Sequence, residues 1–158
     1  MADLTGRNGD DIATKVDGNE VPAFVLDCSL TLSWFLPDES DQSRNALLDR
    51  LADEGGVVPS LWPLEVANAL LIAQRRRRVT RQQRQSAILA LRRLPIAIDV
   101  ETTVHAWNET LRLAEHLRLT IYDATYVELA RRLALPLGTL DRELRAAGKA
   151  AGIEVIGL

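Results

Sequence analysis

The chain of 158 residues contains one cysteine, Cys28, and only two lysines, Lys15 and Lys149. A single cysteine excludes an internal disulfide and is typical of a reducing compartment, so we expect a cytoplasmic protein. No apolar run approaches the ~20 residues that a membrane-spanning helix requires, and no hydrophobic signal core follows the first methionine. The sequence therefore predicts no association with a membrane.

Acidic residues are absent from a long internal segment. Between Val66 and Ile98 there is no Asp or Glu, whereas eight arginines occur there: Arg75, Arg76, Arg77, Arg78, Arg81, Arg84, Arg92 and Arg93. A solvated helix end would explain such a run, and so would a surface that binds the phosphates of a nucleic acid. Both interpretations stay open. In the second, the residues expected to contact RNA are Arg75, Arg76, Arg77, Arg78 and Arg81.

Residues 1–20 differ from the rest of the chain. They are polar, lack periodicity, and carry five acidic and two basic residues, which together equal the net charge of −3 of the whole chain. This composition predicts a disordered leader over residues 1–20, followed by one globular domain over residues 21–158.

Short apolar segments alternate with helical patterns through this domain. We expect an α/β fold in three layers, with helices on both faces of a central parallel sheet of about five strands. In such a sheet, carboxylates that follow the first and fourth strands overlook one crevice if the strand order reverses between those strands. The predicted strands are Ala23–Leu26, Val57–Val58, Ile96–Ile98, Leu135–Gly138 and Ile153–Ile156.

Three helix predictions depend on local signals. Ser40 is the expected N-cap of a helix over about residues 41–54, and the sequence from Thr80 to Gln83 predicts a capping box. A repeat of apolar residues predicts a long amphipathic helix from about Thr103. Its apolar side chains are Val104, Trp107, Leu111, Ala114 and Leu117. We expect all three tryptophans in the core or in a dimer interface.

Four carboxylates occupy strand ends or helix starts: Asp27, Glu65, Asp123 and Asp141. Each alone could merely cap a helix or interact with its dipole. Together, with no lysine or histidine at a strand end, they suit a hard divalent cation such as Mg²⁺, for which Mn²⁺ can substitute. Such an ion equips a site to hydrolyse a phosphodiester. Polar residues close to them in the sequence are Ser29, Asn68 and Thr139.

At four places the chain resembles PIN-domain ribonucleases, and most closely the VapC toxins of type II toxin–antitoxin pairs. The matching segments are LDCS (Leu26–Ser29), PLEVANAL (Pro63–Leu70), IYDATYVELA (Ile121–Ala130) and TLDREL (Thr139–Leu144). The resemblance implies that the four carboxylates are catalytic metal ligands and that Ser29, Asn68 and Thr139 support them. It also implies a Mg²⁺-dependent endoribonuclease that cleaves structured RNA such as tRNA or rRNA, forms a homodimer, and is neutralised by a VapB-like antitoxin.

Two other functions compete with this one. A non-catalytic nucleic-acid-binding protein could use the arginine-rich segment 75–93, but it would not need four carboxylates at one edge of a sheet. A phosphotransfer domain of the receiver or haloacid-dehalogenase type would need a lysine in its acidic pocket. Neither Lys15 nor Lys149 lies at a predicted strand end.

Overall fold

The computed structural model describes residues 21–37 and 41–157. The leader predicted over residues 1–20 and the N-cap predicted at Ser40 lie outside these described residues. The helix after Ser40 is capped by Asp41, whose carboxylate accepts a hydrogen bond from the backbone N–H of Ser43 at 2.9 Å.

The described chain forms one five-stranded sheet in the order β3-β2-β1-β4-β5, with every neighbouring pair parallel. The strands are β1 (Phe24–Leu26), β2 (Gly56–Pro59), β3 (Ile96–Asp99), β4 (Leu137–Gly138) and β5 (Val155–Ile156). The strand order reverses between β1 and β4, so the predicted crevice lies at the carboxyl ends of these two strands. The α/β fold class predicted from the sequence is confirmed.

Helices connect the strands on both faces of the sheet. They are α1 (Cys28–Ser33), α2 (Gln42–Glu54), α3 (Trp62–Arg75), α4 (Arg81–Leu91), α5 (Thr102–His105), α6 (Leu111–Leu117), α7 (Ile121–Leu133) and α8 (Arg142–Ala150), with a π-helical turn, Ala106–Thr110, between α5 and α6. Among residues 21–37 and 41–157, no helix is both long and apolar enough to cross a membrane.

The helices pack in two groups that make the outer layers of the three-layer domain. Helix α3 contacts α1 and α4, whereas α7 contacts α6, α8 and the π-helical turn. Right-handed crossovers place the first group on one face of the sheet and the second group on the other. Strand β1 lies between them, and its three apolar residues are fully buried. Burial of both faces explains why this strand is apolar throughout.

The apolar repeat predicted from Thr103 does not form one buried stripe. Val104 and Trp107 are 68% and 93% exposed, whereas Leu113 and Ala114 are buried. The cause is the π-helical turn, which closes hydrogen bonds over five residues and so rotates the residues after it relative to those before it. Of the two locations expected for Trp107, the structure excludes the core, and a dimer interface stays a prediction. Trp62 is buried and donates a hydrogen bond from Nε1 to Thr31 at 3.2 Å.

A buried ion cluster joins α7 to the end of β3. The Arg132 guanidinium donates to Asp99 Oδ2 at 2.7 Å and to Glu128 Oε1 at 2.8 Å. The side chains of both carboxylates are at most 9% exposed, and both share this one cation. Neighbouring Arg131 instead pairs at 3.5 Å with Glu109 near the surface.

We expect Arg132→Ala to lower the free energy of unfolding by about 3–5 kcal/mol, because it leaves two buried carboxylates without their partner. Arg131→Ala removes the same charge one residue earlier and should cost at most about 1 kcal/mol, since its pair is exposed. Urea unfolding followed by circular dichroism measures both. Equal losses for the two variants would contradict a structural role for the buried cluster.

Candidate active site

Three carboxylates approach one another at the carboxyl edge of the sheet. Asp27 directly follows β1, Glu65 lies in the first turn of α3, and Asp123 lies in the first turn of α7. Their proximity is reflected in the pKa of Glu65, which is raised to about 7, first by burial and then by the negative charges of Asp27 and Asp123. Elements from both faces of the sheet thus contribute to one acidic crevice.

Asp27 is held rigidly at the centre of this crevice. Its side chain is almost fully buried, and its Oδ2 accepts hydrogen bonds from Ser29 Oγ at 2.5 Å and Thr139 Oγ1 at 2.7 Å. Its backbone N–H donates to the Gly138 carbonyl oxygen at 2.9 Å across the β1–β4 pair. Burial raises the pKa of Asp27, although the hydrogen bonds of Ser29 and Thr139 act in the opposite direction.

Two hydroxyl groups predicted to support the site connect Asp27 to the loop after β4. Ser29 Oγ accepts from the backbone N–H of Leu140 at 2.9 Å, and Thr139 Oγ1 accepts from the backbone N–H of Asp141 at 3.0 Å. Each hydroxyl therefore donates to Asp27 while accepting from this loop. The arrangement fixes the position of Asp27 relative to β4.

Glu65 has one satisfied and one unsatisfied oxygen. Its Oε2 accepts a hydrogen bond from the Tyr126 hydroxyl at 3.2 Å, whereas its Oε1 is buried without a hydrogen-bond partner among the described residues. Leaving a buried carboxylate oxygen unpaired costs free energy, which a cation in the crevice would offset.

Tyr126 is a site residue that the sequence interpretation missed. It is fully buried, and its pKa is raised by burial and by the charges of Asp27 and Glu65. Because it follows Asp123 by three residues, it lies on the same side of α7, and this spacing was the available signal. The Tyr126 hydroxyl binds one Glu65 oxygen and leaves the other without a partner among the described residues.

Cys28, beside Asp27, is not equipped for nucleophilic chemistry. Burial and the charges of Asp27 and Glu65 raise the pKa of its thiol to about 12. The thiolate is thus scarcely populated at neutral pH, and Cys28 serves as a small buried residue of the core.

The remaining two carboxylates make local hydrogen bonds. Asp123 Oδ2 accepts from the Thr120 hydroxyl at 2.9 Å, and it is Thr120, rather than Asp123, that caps α7. Asp141 is the one exposed member of the four, and its carboxylate caps α8 by accepting from the Leu144 N–H at 2.8 Å. A cap role is thus present for Asp27 and Asp141, and it does not conflict with a ligand role, because a carboxylate has several lone pairs.

The other predicted residues lie away from this hydrogen-bond network. Asn68 is exposed on α3, and the structure records no hydrogen bond between its side chain and Glu65. The arginine segment lies at the far end of the same helix, since Arg75 follows Glu65 by ten residues, or about 15 Å at 1.5 Å per residue. The structure therefore separates the arginines from the carboxylates.

The crevice has the donor chemistry of a hard-cation site. Asp27, Glu65 and Asp123 offer only oxygen atoms, and Glu65 Oε1 lacks a partner among the described residues. With the side chains as they stand, no three Asp, Glu, His or Cys residues within 21–37 and 41–157 are grouped as metal ligands. Asp123 and Asp141 point instead to Thr120 and to the start of α8.

Comparisons with known proteins identify the family to which this chain belongs. The model of the PIN domain matches residues 24–150, so the chain belongs to the PIN-domain family. It is VapC-like within that family: it is 31% identical over 121 residues to Ribonuclease VapC3 of Pyrobaculum aerophilum, a match that covers 76% of this chain and 90% of that protein. The crystal structure of PAE2754 from Pyrobaculum aerophilum superposes with a TM-score of 0.61 at 25% identity and covers 90% of each chain.

The raised pKa of Glu65 predicts a specific dependence of stability on pH. Its carboxyl has an ordinary pKa of 4.5 when unfolded and about 7 in the fold. Between these values the folded state holds a proton that the unfolded state has lost, so the free energy of unfolding falls as pH rises. In EDTA, the melting temperature of the wild type should therefore decline more steeply over this range than that of Glu65→Gln.

A matched control for this test is Glu143→Gln, at an exposed position in the first turn of α8. Its melting temperature should follow the wild-type pH profile. If Glu65→Gln also followed the wild-type profile, Glu65 would not hold a raised pKa in the folded protein.

Proposed function

We propose that the protein is a Mg²⁺-dependent endoribonuclease of the VapC type, in which Mn²⁺ can replace Mg²⁺. The observation that carries this proposal is the acidic crevice of a PIN-domain fold, where Asp27, Glu65 and Asp123 meet and Glu65 Oε1 is buried without a partner among the described residues. The name of the similar Pyrobaculum aerophilum protein, Ribonuclease VapC3, supports RNA as the substrate.

The catalytic and metal-binding residues are Asp27, Glu65, Asp123 and Asp141, with Ser29, Asn68 and Thr139 in support. Bound magnesium would supply an activated water and neutralise charge on the phosphodiester. Ser29 and Thr139 keep the Asp27 carboxylate in one orientation, and Tyr126 does the same for Glu65. Such fixed ligands reduce the reorganisation that the reaction requires.

Two of the four carboxylates would bind a metal in addition to, or in place of, their present hydrogen bonds. Asp123 would turn away from the Thr120 hydroxyl, and Asp141 would share its carboxylate between the α8 cap and the ion. Both residues are at least partly accessible, so rotation does not disturb the core. The ion also relieves the repulsion that raises the pKa of Glu65.

The arginine segment supplies the positive surface that an acidic crevice lacks. Arg75, Arg76, Arg77, Arg78 and Arg81 are all exposed, within a stretch that has no Asp or Glu. We assign them to the phosphates of the RNA backbone, which position a substrate without reading its sequence. A structured RNA such as tRNA or rRNA is long enough to reach both this surface and the crevice.

The partner that restrains this nuclease is a VapB-like antitoxin encoded with it. This assignment rests on the similarity to VapC3, since VapC proteins are the toxins of such pairs. An acidic crevice with an unsatisfied carboxylate oxygen is also a natural acceptor for a cationic side chain of an inhibitor.

The protein forms a homodimer through an apolar surface stripe, defined here as Val100, Val104, Trp107 and Leu111. All four are exposed within a stretch of twelve residues, Trp107 at 93%. A group of exposed apolar side chains marks an interaction surface, and an exposed tryptophan is typical of the centre of one.

We expect purified protein to cleave RNA with Mg²⁺ or Mn²⁺ and to stop when EDTA is added. Asp27→Asn and Asp123→Asn should fold, melt in EDTA at or above the wild-type temperature because repulsion is relieved, and be inactive. Asp49→Asn, at an exposed position on α2, should cleave like the wild type. Cleavage in EDTA would refute the metal mechanism, and binding without cleavage would favour the non-catalytic alternative.

The dimer assignment predicts that Trp107→Glu converts the protein to a monomer, because a charge replaces the largest apolar side chain of the stripe. Leu89→Glu is the control, since Leu89 is also exposed, at 58%, but lies on α4 outside the stripe. Sedimentation equilibrium measures the oligomeric state. A wild type that stays monomeric, or two variants that behave alike, would contradict this interface.

A further inference from the structure

The turn between α3 and α4 borders an open surface cavity of about 330 Å³. It is lined by Gln74, Arg77, Arg78, Val79, Thr80 and Gln83. We infer that this α3–α4 cavity binds one phosphate of the RNA and its neighbouring ribose at a second site, remote from the cleavage site. The inference rests on the proposed ribonuclease function and adds to it where a second part of the substrate is held.

The charge of the α3–α4 cavity favours an anion. No Asp or Glu occurs between Val66 and Ile98, and the salt bridges recorded among the described residues include none to Arg77. The Arg77 guanidinium therefore retains its hydrogen-bond donors for a ligand. Guanidinium groups bind phosphate oxygens through two parallel hydrogen bonds, which makes a phosphate a fitting occupant.

The turn that carries Arg77 is held in one conformation. The N–H groups of Arg77 and Arg78 donate to the carbonyl oxygens of Gln74 and Ala73, each at 2.9 Å. Val79 is buried against Ala73 in a small apolar cluster. A ligand thus finds a preformed cavity and does not have to order the backbone, which lowers the entropic cost of binding.

The start of α4 closes the other side of the cavity. Thr80 and Gln83 form the predicted capping box, in which the Thr80 N–H donates to Gln83 Oε1 at 2.7 Å and the Gln83 N–H donates to Thr80 Oγ1 at 3.1 Å. The capping box occupies these two N–H groups, so α4 contributes the positive end of its dipole at this side of the cavity and not these two donors.

Gln74 indicates that the anion belongs to RNA. Its Oε1 is buried and has no hydrogen-bond partner among the described residues, although it lies in the cavity wall. A phosphate alone cannot satisfy this acceptor, because its oxygens are acceptors too. The 2′-hydroxyl of a ribose can donate to Gln74 Oε1, and this group distinguishes RNA from DNA.

The position of the cavity implies a long or folded substrate. Arg77 follows Glu65 by twelve residues, most of them in α3, which corresponds to about 18 Å along the helix axis. A substrate that fills both sites must therefore extend well beyond the cleaved bond, as a structured RNA does.

Arg77 offers a test that separates binding from folding. Its φ of +59° lies in the left-handed region, where glycine is less strained than arginine. Arg77→Gly should therefore melt at or above the wild-type temperature while losing a phosphate contact. Arg118→Gly is the matched control, because Arg118 is also an exposed arginine with a left-handed φ, of +56°, at the end of a helix.

Binding of an RNA hairpin is measured in EDTA, where the proposed enzyme cannot cleave, over a range of salt concentrations. Arg77→Gly should bind roughly tenfold more weakly than the wild type, and its salt slope should be smaller by about 0.7–0.9. Arg118→Gly should match the wild type in affinity and slope. If both variants behaved alike, the α3–α4 cavity would not hold a phosphate.

A second variant tests the ribose. Gln74→Leu should weaken binding of the RNA hairpin but leave binding of the DNA hairpin of the same sequence unchanged, because only RNA has the donor for Gln74. Equal losses on both would overturn the ribose contact. If the wild type cleaves RNA with Mg²⁺ but Arg77→Gly binds normally, only this inference fails. If the wild type neither binds nor cleaves RNA, the proposed function fails with it.

Discussion

The pairing of β1 with β4 is the contact on which the candidate site depends. At this pair the Asp27 N–H donates to Gly138, while Thr139, the next residue after β4, donates its hydroxyl to the Asp27 carboxylate at 2.7 Å. The two strands are distant in sequence but adjacent at the point where strand order reverses. The same reversal that opens the crevice therefore also fixes the orientation of its central carboxylate.

The acidic crevice is energetically unfavourable without a ligand, which indicates that its carboxylates serve a purpose other than stability. Burial raises the pKa of Asp27, burial and the charges of Asp27 and Asp123 raise the pKa of Glu65, and one Glu65 oxygen has no partner among the described residues. A fold under selection for stability alone would not gather such groups. The Arg132 cluster shows the contrasting case, in which buried carboxylates are matched by a cation of the chain itself.

The two ends of α3 carry opposite charges. Its first turn places Glu65 in the crevice, and its last turn leads into the turn that carries Arg77 and Arg78. A rigid helix between them keeps the two at a constant separation of about 18 Å. The geometry thus holds a cluster of negative charge and a cluster of positive charge at opposite ends of one helix, and the proposed function assigns a cation to the first and RNA phosphates to the second.

The sequence predicted three features that each depend on residues close together in the chain. These are the alternation of strands and helices, the capping box at Thr80, and the placement of carboxylates at strand ends. The predicted sheet placed only Asp27 and Asp141 at one crevice, and the grouping of Asp27 with Glu65 and Asp123 followed from the resemblance to PIN-domain ribonucleases. Tertiary packing alone decided that Tyr126 would hold Glu65 and that Arg132 would neutralise Asp99 and Glu128. It also decided that Trp107 would lie outside the core, since a π-helical turn rotates the apolar repeat. Local propensity does not specify which face of a helix finds a partner. That choice depends on the surfaces that the rest of the fold brings to it.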